Sequence, residues 1–300
     1  MTAPPKRHWY QFSLKALLVV ATLAGVGLGW INERNEVKKR DEVIAAIKRL
    51  GGTVKYDAAQ PFHPTWPRVL TGNNYSGEVV TVDLAWSKVT DADLAPIAGL
   101  TKLRKLYLYK TQITDAGLAH LAGLTQLESL VLDETQITGV GLVHLANLKE
   151  LKVLEVYDTK VNDVGLAHLA GLANLQKVSL GETHATDDGL IYLAGLTQLK
   201  HLSFFSIQMT DAGLAHLAGL AQLEELHLAG THVTDSGLAQ LGRMSELNML
   251  DLNFTQVTDA GLVHLTGLTK LKDLRLVGTQ VTDQGVSELQ KTLPNVQVAR

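Results

Sequence analysis

Five histidines recur in this chain at multiples of 24 residues, and evenly spaced imidazoles are a pattern that could bind metal ions. The column comprises His120, His144, His168, His216 and His264, with Tyr192 and Gln240 in two of the gaps. Each lies beside the apolar stripe of a predicted helix, and no carboxylate recurs next to them to complete a coordination shell. We therefore interpret the histidines as spacers against the small residues of neighbouring helices, and expect no metal site.

A second column consists of aspartates that follow Thr or Asn and precede a predicted helix. Its members are Asp91, Asp115, Asp163, Asp187, Asp211, Asp235, Asp259 and Asp283. A calcium ion needs several oxygen ligands, whereas one carboxylate in a first turn is what helix capping and the helix dipole favour. We expect these aspartates, and the glycines at Gly117, Gly165 and Gly213, to be structural, since no phosphate-loop motif accompanies them.

Other chemistry finds little support in the 300 residues. There is no G-x-S-x-G, no H-E-x-x-H and no nucleotide loop, and the absence of cysteine excludes a disulfide scaffold and a thiol nucleophile. The formal charge is −3 and the repeats contain no basic run, which does not favour nucleic acid as a partner. The sequence predicts neither an enzyme nor a bound cofactor.

These columns exist because the chain repeats every 24 residues from Val79 onward. In the copy over 103–126, Leu103, Leu106 and Leu108 end a strand-like alternation. Leucines at three-residue spacing then form one helical stripe, at Leu118, Leu121 and Leu124. A unit this short must use its neighbours as core. Strands joined by helical crossovers are parallel and the crossovers right-handed, so we predict an α/β solenoid of about nine repeats with strands concave and helices convex.

The motifs LxxLxLxxT, ITDAGL and AHLAGL resemble the leucine-rich repeats, specifically the 24-residue subtype whose loops read TDxGL, over residues 79–300. That subtype usually has Asn or Cys in the loop after the strand. Here the position carries Ser87, Thr111, Thr135, Thr159, Thr183, Thr231, Thr255 and Thr279. We expect their hydroxyls to satisfy loop backbone groups. Ile207 interrupts this column beside Phe204 and Phe205, which indicates a locally apolar sixth repeat.

A different kind of sequence precedes the repeats. Residues 16–31 carry no charge and would span roughly 24 Å as a helix, with Trp9, Tyr10 and Trp30 at the two interfaces. We predict a basic flank over 1–15 and a transmembrane anchor over 16–31, the alternative being a cleaved signal peptide. The opening WYQFSLKALL also resembles the anchor of bacterial membrane leucine-rich-repeat proteins. Basic residues flank both sides, and we expect the repeats to be extracytoplasmic.

We assign residues 32–78 to a linker helix and an N-terminal cap, followed by the solenoid and its C-terminal cap over 79–300. The stretch TVKYD reads as a strand, and Trp66, Val69 and Leu70 are expected to cover the first repeat. At the other end, LPNVQV supplies a short last strand. Both apolar ends of the solenoid are thus predicted to be closed.

The variable strand positions point to recognition. Since strand side chains alternate, Lys105, Tyr107 and Tyr109 face the concave side when Leu106 and Leu108 face inward. The same offsets and the adjoining loops give the predicted ligand-binding residues: Trp86, Tyr107, Tyr109, Asp133, Glu134, Glu155, Tyr157, Asp158, Glu182 and Phe205. Aromatic and acidic residues are typical of interface anchors for a protein or peptide with a basic element. A merely solvated strand face is the alternative.

The sequence therefore predicts a single-pass, membrane-anchored, non-enzymatic protein-interaction module. Two alternatives stay open. The TDxGL subtype resembles the repeats of F-box ubiquitin-ligase receptors, which favours an intracellular substrate-recognition adaptor. A structural envelope scaffold is the other, because Ala21, Gly25 and Gly29 form a small-residue face that could pair two anchors into a homodimer.

Overall fold

The computed structural model describes residues 31, 34–57 and 77–300. The chain divides into two compact units, one over 1–45 and 59–76 and the other over 46–58 and 77–300. The predicted basic flank, the predicted anchor up to residue 30 and the predicted cap residues Trp66, Val69 and Leu70 lie outside the described residues. Within 34–57 and 77–300, no helix is both long and apolar enough to cross a membrane.

The described residues form one eleven-stranded sheet whose strands follow each other in chain order. The strands are β1 Thr53–Tyr56, β2 Val79–Asp83, β3 Lys105–Tyr107, β4 Ser129–Val131, β5 Val153–Glu155, β6 Lys177–Ser179, β7 His201–Ser203, β8 Glu225–His227, β9 Met249–Asp251, β10 Asp273–Arg275 and β11 Gln297–Ala299. Strand β1 is antiparallel to β2, and all later pairs are parallel. Each parallel pair joins residues 24 apart, such as Leu106 and Leu130, so equivalent side chains stack in rows across the sheet.

The segments between consecutive parallel strands contain short helices. The α-helices are α1 34–49, α2 Asp91–Leu94, α3 Asp115–Leu118, α4 Asp163–Ala167, α5 Asp187–Leu190, α6 Asp211–Leu217, α7 Asp235–Leu238, α8 Asp259–Leu262 and α9 Asp283–Thr292. The 3₁₀ segments are Ala95–Gly99, Ala119–Leu121, Gly139–Leu145, Ile191–Leu193, Ala239–Arg243 and Val263–Leu265. The helical segment of the third repeat, which lacks the aspartate at its start, is 3₁₀ throughout.

The two predicted leucine periodicities meet in one core. Leu106 in the strand and Leu108 just after it are fully buried, as are Leu118 and Leu121 in the helical segment and Leu124 just after it. Their equivalents in most other repeats are buried too. Burial of this continuous apolar row is the main stabilising contribution to a solenoid whose single units have no core of their own. The predicted strand-then-helix unit is confirmed.

The loop hydroxyls act as predicted. Thr111 Oγ1 donates to the carbonyl of Leu108, three residues earlier, at 2.5 Å. The same local bond is made by Ser87, Thr135, Thr159, Thr183, Thr231, Thr255 and Thr279. In the sixth repeat Ile207 replaces the hydroxyl and is buried with Phe204, so this loop is held by apolar packing instead.

The aspartate column is structural, but its hydrogen bonds cross between repeats instead of remaining in one helix. Asp115 Oδ1 accepts from the Thr138 backbone N–H at 2.7 Å, and its Oδ2 accepts from Thr138 Oγ1 at 2.6 Å. The same interrepeat Asp–Thr pair is formed by Asp91 and Thr114, Asp163 and Thr186, Asp187 and Thr210, Asp211 and Thr234, Asp235 and Thr258, and Asp259 and Thr282. The third repeat has Gly139 in place of the aspartate, and the fourth has Asn162 in place of the threonine.

Candidate ligand-binding surface

The candidate site lies on the strand face. We define this face as the outward side chains of β2–β10 together with two loop residues after each strand, which in the second repeat are Tyr109 and Lys110. Burial alternates as predicted, since Leu106 and Leu108 are buried while Tyr107 and Tyr109 are partly exposed. All ten predicted ligand-binding residues lie on this face or in its loops. The sheet register therefore brings them to one side of the molecule.

The second of these loop residues has an unusual backbone that was not predicted from the sequence. It is left-handed in every repeat, with φ of 60° at Trp86, 56° at Lys110, 52° at Glu134, 48° at Asp158, 51° at Glu182, 55° at Ser206, 72° at Gly230, 56° at Phe254 and 73° at Gly278. This conformation lets the residue's N–H donate to a carbonyl of the next repeat, as Trp86 does to Tyr109 at 2.9 Å. Glycine accepts this conformation without strain, and other residues adopt it at a cost of order 1–3 kcal/mol.

The first group of contacts on the strand face surrounds the Lys110 ammonium, and we name it the tryptophan cluster (Trp86, Tyr109, Lys110 and Glu134). The Trp86 and Tyr109 rings meet edge to face, with centroids 5.0 Å apart and planes at 77°. Lys110 Nζ lies 4.1 Å from the Trp86 centroid and 3.0 Å from Glu134 Oε2. Cation–π attraction and an ion pair therefore hold side chains from three successive repeats together.

The second group, the tyrosine cluster (Tyr157, Gly181, Glu182 and Phe205), spans the fourth to sixth repeats. The Tyr157 and Phe205 rings lie 6.4 Å apart although a whole repeat separates them. Gly181 makes this approach possible, because a Cβ there would come within 2.9 Å of the Tyr157 ring. The Tyr157 hydroxyl donates to Glu182 at 2.5 Å, and this hydrogen bond raises the pKa of Tyr157 to about 12.

Asp133 lies between the two clusters and is partly buried. Its Oδ1 accepts from the Tyr157 backbone N–H at 2.7 Å. Burial raises the pKa of this carboxyl to about 6, against the lowering effect of that hydrogen bond. Asn253 makes the same contact in the eighth repeat, where its amide oxygen accepts from the Val277 N–H at 2.7 Å. A neutral amide oxygen therefore makes the same hydrogen bond at the equivalent position.

The remaining predicted residues are distributed around these clusters. Glu155 forms an ion pair with Lys177 at 2.8 Å. Tyr107 is partly exposed on β3, and Asp158 is exposed in its loop. The predicted acidic character is therefore reduced by lysines, because Glu134 and Glu155 already have cationic partners, whereas Asp158 faces solvent.

Between repeats six and nine, charged groups of the strand face are paired within the chain, although Phe254 is exposed there. His201 Nδ1 lies 3.0 Å from Glu225, and Arg275 lies 3.0 Å from Asp273 and 3.8 Å from the buried Asp251. Such paired groups are already satisfied within the chain. The aromatic half, repeats one to six, is the better candidate for a ligand surface.

The histidine column does not form a metal site in the described part of the chain. His120, His144, His168 and His216 are partly exposed and His264 is exposed. Among residues 31, 34–57 and 77–300, no group of three or more His, Asp or Glu side chains is arranged to hold a metal ion.

Parallel stacked repeats, a leucine core and an open strand face define the class of solenoid binding scaffolds. The sequence profile of the leucine-rich repeat region matches residues 81–298, and the chain belongs to the leucine-rich-repeat family. A comparison with curated protein sequences finds no match.

Solved structures give the same fold. Internalin C2 from Listeria monocytogenes is 29% identical over 70% of this chain and 84% of its own, with a TM-score of 0.54. A leucine-rich-repeat protein of Leptospira interrogans is 20% identical over 68% of this chain and 56% of its own, with a TM-score of 0.55. The second likeness concerns the fold alone.

Proposed function

We propose that this protein is a non-enzymatic binding module whose strand face, over repeats one to six, takes a protein or peptide partner. The partner contacts the tryptophan cluster and the tyrosine cluster, with Tyr107 and Asp158 beside them. Proteins of the leucine-rich-repeat family commonly serve protein interaction, which supports the same conclusion.

One observation carries this proposal: a large aromatic side chain occupies a left-handed position where the scaffold accepts glycine. Trp86 is 67% exposed at φ 60°, whereas Gly230 and Gly278 occupy the equivalent positions of repeats seven and nine. An exposed indole on a strained backbone contributes little core burial. Unlike the equally exposed Phe254, Trp86 is also grouped with a second ring, a lysine and a carboxylate, so its presence is better explained by contact with a partner.

Trp86→Gly should abolish capture of the partner without unfolding the protein. The substitution relieves the left-handed backbone and removes an indole that is mostly in solvent, so the melting temperature should stay within a few degrees of the original. The measurement is affinity capture with the full chain, followed by identification of bound proteins and thermal unfolding of each variant.

Phe254→Gly is the matched control. Phe254 is 64% exposed with φ 56° in the same column, but it lies in the eighth repeat, outside the proposed surface. Capture should survive this substitution. Equal capture by both variants would place the binding surface elsewhere.

We further propose that residues 16–31 anchor the protein in a membrane by a single span with the repeats extracytoplasmic. Support comes from the uncharged stretch and the aromatic residues that flank it. Protease added to intact cells should then digest the repeats. Full protection of the repeats in intact cells, with digestion after lysis, would contradict this orientation.

A further inference from the structure

The tryptophan cluster has the composition of a cation-binding site, and its present occupant belongs to the chain itself. The Lys110 ammonium lies over the Trp86 ring at 4.1 Å, with the Tyr109 ring centroid at 6.0 Å and the Glu134 carboxylate at 3.0 Å. An indole face, a second ring and a carboxylate together stabilise a positive charge by the ring quadrupole and by ion pairing.

The occupant is weakly held compared with a buried ion pair. The Lys110 and Glu134 side chains each keep 32% of their surface exposed, so the ammonium can leave the site and regain its hydration. Exposed ion pairs contribute at most about 1 kcal/mol, and exposed cation–π contacts about the same. A better-placed cation can therefore displace Lys110.

Lys110 also stands alone among the left-handed loop positions. The three repeats that follow carry Glu134, Asp158 and Glu182 there, and Lys110 is the one basic residue in the column from 86 to 278. A glycine would fit the backbone better, as it does at Gly230. The Lys110 side chain therefore occupies a site that could otherwise bind a cation from another molecule.

We propose that Trp86, Tyr109 and Glu134 form a site for a lysine or arginine side chain of the partner protein, and that Lys110 occupies this site in the free chain. Binding then exchanges one cation for another, and the row of acids at Glu134, Asp158 and Glu182 attracts further basic residues of the partner. This inference rests on the proposed function, because it assigns the chemistry of the partner group at that surface.

The test uses Lys110→Gly, which empties the site and suits the left-handed backbone. Methylammonium and methylguanidinium chloride, as probes for lysine and arginine, are titrated into the full chain, with sodium chloride as the ionic-strength control and tryptophan fluorescence as the readout. We expect saturable binding to Lys110→Gly with a half-saturation concentration about tenfold below that of the unaltered protein. The more effective probe identifies the side chain that fits.

Two further variants assign the signal. It should vanish in Lys110→Gly with Trp86→Phe, where the other three tryptophans remain, and weaken in Lys110→Gly with Glu134→Gln. The cation site is wrong if Lys110→Gly responds no more strongly than the unaltered protein, or if the response persists without Trp86. Because no partner is needed, a positive result stands even when capture proves independent of Trp86, and a negative one leaves the proposed binding surface intact.

Discussion

Replacing Gly213 by alanine should lower the free energy of unfolding by about 3 kcal/mol, through overpacking and the loss of an interrepeat hydrogen bond. A Cβ at Gly213 would clash with Asp187 Oδ1 and lie 3.0 Å from Leu190 Cδ1. The carboxylate has little freedom to move, since it accepts from the Thr210 N–H at 2.8 Å and from Thr210 Oγ1 at 2.5 Å. Denaturant unfolding of the full chain measures the change.

Gly219→Ala is the matched control in the same repeat. A Cβ there meets no atom within 4 Å, and Gly219 has no left-handed backbone. Alanine should be neutral or stabilise by up to about 1 kcal/mol, because it reduces the entropy of the unfolded chain. Similar losses at both glycines would mean that the Asp–Thr pairs do not fix the distance between repeats.

Asp133→Asn should stabilise the protein at neutral pH. The folded pKa of about 6 lies above the ordinary aspartate pKa of 3.8, so the folded state binds the proton more tightly than the unfolded state does. Stability is therefore greatest below the unfolded pKa and falls as the pH rises from about 4 through 6. A rise in the pKa from 3.8 to about 6 corresponds to about 3 kcal/mol of folding free energy, which partial exposure to solvent reduces to about 1–2 kcal/mol.

Asparagine keeps an acceptor for the Tyr157 N–H, as Asn253 does for Val277. At pH 7.5 the free energy of unfolding of the Asp133→Asn variant should exceed that of the unaltered protein by about 1–2 kcal/mol. This difference should disappear near pH 4. Asp158→Asn, at an exposed acid, should change stability by less than about 0.5 kcal/mol at either pH. A loss of stability in Asp133→Asn at pH 7.5 would contradict the assignment of burial as the dominant effect.

An ionised Asp133 is thus expected to lower stability at a position where the eighth repeat uses a neutral amide. Binding residues are often unfavourable for the scaffold that carries them. Asp133 and Trp86 share this property, and both lie in the aromatic half of the strand face.

The fold follows from the sequence because its signals repeat. Leu106, Leu118 and Thr111 have equivalents in most repeats, so their roles could be predicted from spacing and residue type alone. The direction of the aspartate bonds could not be predicted, since the helix of Asp115 and the threonine of the next repeat both offer donors. The joint replacement of Asp by Gly139 and of Thr by Asn162 was the available signal that the two positions form a pair.

The candidate surface was predictable in position but less so in its contacts. Strand alternation places Tyr107, Tyr109 and Tyr157 on one face, whereas the approach of Tyr157 to Phe205 depends on Gly181 in the intervening repeat. Lys110 was missed because its contact with Trp86 joins two repeats and has no signal in residue type alone. The glycines at 230 and 278 were the sequence signal for the left-handed column.

The most direct test of a binding strand face is the dissociation constant of the captured partner for the full chain carrying Trp86→Gly, measured beside Phe254→Gly. Loss of an exposed aromatic anchor should weaken binding about 100-fold, while the control stays within about threefold of the unaltered protein and both variants keep their melting temperatures. Equal dissociation constants for the two variants would contradict the proposed surface.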